Sequence, residues 1–417
     1  MKTYIIKTFG CKVNQYDSQE IRSSLERLGY KEQARPDTLS RPFFIIINGC
    51  TVTHSSDAKV KACLRKYSRE YPGARIVLTG CSAASRYFHA DLQGLVKVKK
   101  KSLAEYLAAF KCERAGNGSN SKGRARTRAF LKVQEGCGNF CSYCIVPFVR
   151  GLPRSRPSKE IIEEAARFAD KGFKEIVITG INISAYRDRS VRLADLLDKI
   201  SNTAGIDRIR ISSIEPSEEV NRVVKLFERG KPFCPHFHIP LQSASDRMLK
   251  SMNRKYSFAE YTDYINDIRD SLTGSTVSTD IIAGYPGETE DDFGTTLNAV
   301  KMLGFIRVHV FPFSPRKGTK AFNLENRVSQ ETINKRARKI KMEADLSALR
   351  LKKALQGKEA EVLVENRKSD VWSGFTENYL RVILNTETKE NQANKIVKVK
   401  LVSVNDSGIF RASCMPN

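Results

Sequence analysis

The spacing of apolar and polar positions divides the chain into regions of different period. In the N-terminal part, four short apolar runs, Tyr4–Thr8, Phe43–Asn48, Ile76–Thr79 and Leu95–Val98, read as buried strands. Between them, Ser18–Leu28 and Ala58–Tyr71 carry apolar residues at helical spacing. Such alternation predicts a parallel sheet with helices on its faces. Cys112–Arg128 (CERAGNGSNSKGRARTR) has no period and is rich in Gly, Ser, Asn and Arg, so it reads as a basic linker.

From Ala129 the alternation resumes. Strands are expected at Phe130–Val133, Glu175–Thr179, Arg208–Ser212, His236–Pro240, Thr276–Ile282 and Arg307–Phe311. Helices fit at Lys159–Lys171, Leu193–Asn202, Ser217–Arg229, Phe258–Leu272 and Glu290–Leu303. Strand–helix units repeated in this way suggest an open or partial barrel. A last helix, Thr332–Ala354, is strongly basic. Beyond Gly357 the period drops to two over Glu361–Glu365, Tyr379–Leu384 and Ile396–Val404, the pattern of a small antiparallel β-barrel. The fold class is therefore α/β: an N-terminal parallel-sheet domain over 1–111, the linker 112–128, a partial (β/α)6 barrel over 129–354 and a small β-barrel over 355–417. No repeat of solenoid period is present.

Composition narrows the function. Lys and Arg number 71 against 46 Asp and Glu, a net charge of +25. That excess points to a polyanionic partner such as nucleic acid; the alternative is a protein that is simply basic. The longest apolar run, Phe43–Ile47, is far short of the ~20 residues of a membrane helix. The start MKTYIIKTFGC lacks the apolar stretch of a signal peptide. A cytoplasmic protein with no membrane partner is expected. Ten cysteines are many for a reducing compartment, where clustered thiols more often bind metal or do chemistry than form disulfides.

Their spacing is informative. Cys137, Cys141 and Cys144 lie in QEGCGNFCSYCIVP, directly after a strand. Three thiolates this close can ligate three irons of a [4Fe–4S] cluster, which normally takes four cysteines, and so leave one iron open for a small molecule. A zinc site would need a second pair or histidines nearby, and none follows. Cys11, Cys50 and Cys81 each follow a strand and a glycine, in Phe9-Gly10-Cys11, Asn48-Gly49-Cys50 and Thr79-Gly80-Cys81. Ligands of an open parallel sheet bind beyond the carboxyl ends of its strands, so these three thiols are expected to converge there. The other reading is three buried core thiols. Cys63, Cys112, Cys234 and Cys414 have no partner pattern and read as non-ligands. His54, His89, His236, His238 and His309 form no ligand pair at helical spacing and read as structural.

The CxxxCxxC motif after the first barrel strand resembles that of the radical S-adenosylmethionine enzymes. Combined with the strand-end cysteines and the small terminal barrel, the chain resembles the methylthiotransferases over essentially its whole length. The matching stretches are TFGCKVNQYDS, NGCTVT, LTGCSA, QEGCGNFCSYCIVP, RSRP, HIPLQSASDRMLKSMNR, GYPGETEDDF and FPFSPRKGT. Gly49 stands where the family more often has Thr, and Ala244 where it often has Gly. ISSIEP and FPFSPRKGT look most like the branch that acts on N6-threonylcarbamoyladenosine in tRNA; other branches act on isopentenyladenosine or on a ribosomal protein.

The resemblance implies two [4Fe–4S] clusters, S-adenosylmethionine as cofactor, a radical SAM barrel and an RNA-binding TRAM domain. The cluster at Cys137, Cys141 and Cys144 would generate the radical, and the one at Cys11, Cys50 and Cys81 would carry sulfur to C2 of the adenosine beside the anticodon. Gly180 and Asn182 would contact the methionine end of the cofactor, and Gly284 and Pro286 the adenosyl end. Glu215 and Gln242 stand after the third and fourth barrel strands, where barrel enzymes keep their sites, although packing within a loop would also account for them. Arg150, Arg154 and Arg156 are candidates for tRNA phosphate contact, or else solvated arginines. Substrate would be the tRNA anticodon loop, with an external electron donor and sulfur source. The rivals are a radical methyltransferase and a non-enzymatic RNA-binding protein whose cysteines hold structural metal.

Overall fold

The computed structural model describes residues 2–33, 42–110, 127–368, 371–385 and 391–415. The expected linker, with Cys112, lies outside them except for Thr127 and Arg128. The chain forms two compact units. One comprises Met1–Lys122, Glu135–Leu152 and Ser314–Phe322; the other comprises Gly123–Gln134, Pro153–Phe313 and Asn323–Asn417. The loop bearing Cys137, Cys141 and Cys144 thus groups with the N-terminal sheet.

In the first unit, β1 (Thr3–Thr8), β2 (Lys31–Glu32), β3 (Phe44–Gly49), β4 (Arg75–Thr79) and β5 (Val96–Lys97) make one parallel sheet in the order β2-β1-β3-β4-β5. The continuous apolar run of β3 is explained by burial on both faces. Phe44 and Ile46 pack with Tyr4, Val77 and Leu103 on one side; Ile45 and Ile47 pack with Val60, Leu64 and Leu78 on the other. Helix α1 (Lys12–Arg27) starts well before the expected Ser18. Its first turns bury Asn14, Asp17 and Ser18, polar residues that hide the apolar stripe. The unit also contains α2 (His54–Glu70), α3 (Gly80–Ala84), α4 (Lys100–Ala108) and α5 (Val146–Arg150).

The second unit contains the six expected barrel strands as two parallel ladders. One is β8-β7-β6, with β6 Arg128–Lys132, β7 Glu175–Thr179 and β8 Arg208–Ile211; the other is β9-β10-β11, with β9 His236–His238, β10 Thr276–Ala283 and β11 Arg307–Pro312. A bridge between Ser213 and His238 links them. Helices α6 (Ser158–Asp170), α7 (Leu193–Ser201), α8 (Glu218–Phe227), α9 (Asp246–Ser251), α10 (Phe258–Ser271) and α11 (Glu290–Met302) follow the strands. Helix α12 (Gln330–Lys353) leads to a closed barrel of β12 (Glu359–Lys368), β13 (Val371–Thr376), β14 (Arg381–Asn385), β15 (Ile396–Val404) and β16 (Phe410–Cys414) in the order β12-β13-β14-β16-β15. It is not wholly antiparallel: β14 and β16 run parallel.

This small barrel seats on the N-terminal ends of the large barrel's strands. Arg210, 1% exposed, holds both oxygens of Glu175 at 2.8 and 3.2 Å and donates to the carbonyls of Thr376 and Glu377. Arg208 donates to the carbonyls of Glu361 and Phe375. A buried arginine fork is tolerated here because its donors find acceptors. The opposite, C-terminal strand ends are left for chemistry.

Candidate cysteine centres and barrel site

The sheet brings the three distant cysteines together. In register, Thr8 pairs with Asn48 and Asn48 with Thr79, and a further bridge joins Gly49 to Gly80. The adjacent strands therefore end level, and Cys11, Cys50 and Cys81 leave them side by side. Gly10 has φ +105°, and a Cβ there would lie 2.7 Å from Cys50 Cβ. Its lack of a side chain lets Cys50 approach the Cys11 turn. Gly49, the departure from the family pattern, sits where a Cβ would meet Ser82 Oγ at 2.5 Å.

The three thiols feel one another electrostatically. Burial pushes the Cys81 thiol up to about 12, with Cys11 and Cys50 adding to the rise and the Arg150 guanidinium opposing it. Burial raises Cys50 as well, and Cys11 adds to it, while the Val52 backbone N–H and Arg150 pull the other way. Buried thiols held protonated in this way give up their protons when a bound cation takes the charge of the sulfurs. This donor set of three soft sulfurs suits an iron–sulfur cluster or zinc.

Arg150, on α5, is buried rather than placed on a surface for RNA. Its Nε donates to Cys81 Sγ at 3.2 Å, Nη1 to Glu135 at 2.8 Å, and Nη2 to Asp17 at 3.2 Å and to Asn14 Oδ1. Lys100 reaches the same carboxylates, with Nζ 2.5 Å from Asp17 and 3.6 Å from Glu135. Of the other two arginines expected at phosphate, Arg156 is tied to Glu164 and the Lys132 carbonyl, both at 2.7 Å, while Arg154 is exposed.

The second cysteine set lies on one continuous loop. Cys137, Cys141 and Cys144 are each partly exposed. The Cys144 N–H donates to the Cys141 carbonyl within the loop, and the Cys137 N–H donates to the Gly151 carbonyl, so the start of the loop is tied to the residue just past α5. Phe140, between the first two cysteines, takes the left-handed conformation at φ +46°. FPFSPRKGT also contributes to this unit. Arg316 donates to Thr51 at 2.9 Å and to Asp57 at 2.5 Å, and Ser314 Oγ accepts the His54 N–H, which fixes the segment after Cys50.

At the C-terminal ends of the large barrel's strands, Thr179 Oγ1, Asn182 Oδ1 and Ser212 Oγ are buried without a hydrogen-bond partner among the described residues. Buried orphan oxygens at strand ends are what a polar ligand would satisfy. Gln134 Oε1 accepts the N–H groups of Ile181 and Asn182, which orders this turn beside Gly180. Of the other expected contacts, the Glu215 side chain already has a partner, Arg254. Gln242, at φ +68°, is 8% exposed, and its backbone bonds to Asp280. Gly284 faces α12: a Cβ there would lie 2.3 Å from Ile333 Cγ1, so helix packing accounts for this glycine. The turn holding Pro286 is pinned by Glu288, which accepts from the Gly284 N–H and from Arg336.

Comparison with known proteins decides the family. Residues 131–300 match the Radical SAM superfamily and residues 3–98 match uncharacterized protein family UPF0004. The chain is 34% identical to threonylcarbamoyladenosine tRNA methylthiotransferase MtaB of Bacillus subtilis, over 96% of this chain and 94% of the relative. It is 36% identical to the protein of that name from Thermotoga maritima, over 98% and 96%. This chain belongs to the radical SAM tRNA methylthiotransferases. It is also 32% identical to tRNA-2-methylthio-N(6)-dimethylallyladenosine synthase of Thermodesulfovibrio yellowstonii, over 94% of this chain and 92% of the relative. Among solved structures, a radical S-adenosylmethionine methyltransferase from Kitasatospora setae matches in fold, with TM-score 0.54, 15% identity and coverage of 76% and 77%.

The other cysteines among the described residues lie on other elements of this methylthiotransferase. Cys63 is half-buried on α2, Cys234 is buried beside Arg210, and Cys414 is exposed at the end of β16. One grouping escapes a search for helical spacing. His238, Asp280 and His309 meet across three parallel strands with ligand atoms within 4.8 Å, and His238 Nε2 lies 3.2 Å from Asp280. No helix among the described residues is long and apolar enough to cross a membrane.

Proposed function

We propose that this methylthiotransferase converts N6-threonylcarbamoyladenosine beside the anticodon into its 2-methylthio derivative, using S-adenosylmethionine and two [4Fe–4S] clusters. The observation that carries this reading is the convergence of Cys11, Cys50 and Cys81 at the strand ends, separate from the Cys137–Cys141–Cys144 loop. A plain methyl transfer needs no second three-thiol site. The bound groups supply the radical that takes the C2 hydrogen, the methyl group, and the sulfur placed at that carbon.

The chain's own residues hold and orient. Cys137, Cys141 and Cys144 present three sulfurs and leave a coordination position open. Cys11, Cys50 and Cys81 do the same at the sheet edge, with Cys50 and Cys81 buried and Cys11 exposed. Thr179, Asn182 and Ser212 offer polar groups to the cofactor, with Gly180 in the ordered turn between them; Glu215, Gln242, Gly284 and Pro286 shape the surrounding loops. The domain plan 1–111, 112–128, 129–354 and 355–417 assigns sulfur handling, linker, radical chemistry and RNA binding in that order.

For tRNA, the net charge of +25 supplies the attraction. Exposed Lys335, Arg338, Lys339, Lys341, Arg350 and Lys353 on α12, together with Arg154, are the phosphate contacts proposed. The target base must be unstacked to be worked on. Electron donor and sulfur source come from outside the chain, and the cytoplasm is the compartment that provides them. The substrate choice is supported by the two relatives named for threonylcarbamoyladenosine, at 34% and 36% identity.

The test is anaerobic reaction of the reconstituted enzyme with two tRNAs, one carrying threonylcarbamoyladenosine and one carrying isopentenyladenosine, read by nucleoside mass spectrometry. Methylthiolation of the first alone is expected. Reaction of the second alone would move the enzyme to the dimethylallyladenosine branch.

A further inference from the structure

Arg150 is the point at which the two cysteine sites touch one network. It ends α5, which begins two residues after Cys144, so the loop site and this arginine share a short rigid stretch of chain. Its guanidinium reaches back to Cys81, in the other site. Asn14, which accepts from Arg150, donates its own amide to the Phe9 carbonyl at 2.7 Å and to the Gly49 carbonyl at 3.3 Å. Those carbonyls immediately precede the Gly10-Cys11 turn and Cys50. One hydrogen-bonded set therefore reaches the backbone just before two strand-end cysteines and the sulfur of the third.

The donors divide in a definite way. Nη1 serves Glu135 and Nη2 serves Asp17 and Asn14, while Nε–H goes to sulfur. Lys100 hydrogen-bonds Asp17 and pairs with Glu135 at 3.6 Å, which holds both carboxylates in place around the fork. At 8% exposure the guanidinium cannot reorient into solvent. Lysine could not replace it, since a single ammonium cannot serve four acceptors in a plane.

Hydrogen bonds to the sulfurs and the charge around them set the reduction potential of an iron–sulfur cluster. A cation favours the more negatively charged, reduced state and so raises the potential. We infer that Arg150 is the positioning residue of the strand-end site: its Nε–H holds the Cys81 sulfur, and its charge keeps the potential of a cluster at Cys11, Cys50 and Cys81 higher than it would otherwise be. This rests on the assignment of those three cysteines as cluster ligands.

The experiment uses the full-length chain with Cys137, Cys141 and Cys144 replaced by Ala, so that only the strand-end cluster reports. After anaerobic reconstitution, iron is counted and the midpoint is measured by redox titration followed by electron paramagnetic resonance. Arg150→Met is expected to lower the reduced-to-oxidised ratio at the parent's midpoint about tenfold, ~59 mV for one electron. Arg150→Lys, which keeps the charge, should shift it less. Should Arg150→Met lose its iron, Arg150→Gln, with an N–H for sulfur and no charge, takes its place in the titration. An iron-loaded variant with an unmoved midpoint would overturn the role of Arg150 alone. A parent without iron would overturn the ligand assignment itself. In the reciprocal Cys11, Cys50 and Cys81→Ala background, the loop cluster's midpoint should not respond to Arg150→Met; an equal shift there would show a general charge effect and defeat the assignment.

Discussion

The two cysteine sets offer three thiols each, yet they are built in opposite ways. Cys137, Cys141 and Cys144 are neighbours in sequence, and two backbone hydrogen bonds hold their loop. Cys11, Cys50 and Cys81 are neighbours only because three parallel strands end level. All three thiols of the first site are partly exposed; in the second, Cys50 and Cys81 are buried while Cys11 is exposed. A site written into a short motif depends little on distant packing. One assembled by a sheet inherits every constraint of that sheet, and perturbations should separate the two.

The largest separation is expected from Gly10→Val. Its side chain would collide with Cys50 and sit at a φ that valine resists. Iron should fall from roughly eight to roughly four atoms per chain, on the basis of two four-iron clusters, with the loop cluster retained. Loss of all iron, or none, would show that the two sites are not independent. A smaller effect on the sites, although a large one on stability, is expected far from them. Arg210→Met strips buried Glu175 of its two hydrogen bonds and leaves it only the longer pairing with Arg128 at 3.9 Å, at a cost of about 3 kcal/mol. Thermal unfolding should shift down while iron content stays at the wild-type value. The same contact bears on truncation after Ala354, which removes the carbonyls that Arg208 and Arg210 use and should destabilise the large barrel.

The smallest effect is a pH dependence confined to the sheet-built site. The buried Cys81 thiol, raised to about 12, stays neutral in the folded apo-protein after an unfolded chain has begun to ionise near the ordinary thiol value of about 9. The folded state then holds more protons, so this contribution to stability is complete below about pH 9 and is lost between about 9 and 12. Chemical denaturation across that window should fall off less steeply for Cys81→Ala than for wild type. Equal slopes would mean the thiol is solvated.

The same contrast governs how much of the molecule is legible in its sequence. The CxxxCxxC loop needs only its spacing. The strand-end set needs a topology, and the repeated strand–Gly–Cys order carries it, since a parallel sheet aligns the residues just beyond its strand ends. Arg150 escapes because a basic residue near a proposed RNA site reads as a phosphate contact; only packing shows Glu135, Asp17 and Cys81 around it. The start of α1 is hidden for a related reason. Asn14 and Asp17 are polar and buried, so they break the apolar stripe that would mark the helix. Strands β13 and β16 leave little trace because Ser373, Gly374, Arg411 and Ser413 dilute their apolar alternation. Arg316, in FPFSPRKGT, belongs to a matched stretch but has no sequence signal tying it to Thr51 and Asp57.

The claim that the sites have separate duties is tested most directly by one pair of readings on the Cys11, Cys50 and Cys81→Ala variant, reconstituted anaerobically and mixed with S-adenosylmethionine, reductant and tRNA. Production of 5′-deoxyadenosine should continue, while nucleoside mass spectrometry of the same reaction finds no 2-methylthio product. Methylthiolated tRNA from this variant would contradict the account, because sulfur would then reach the base without the strand-end thiols.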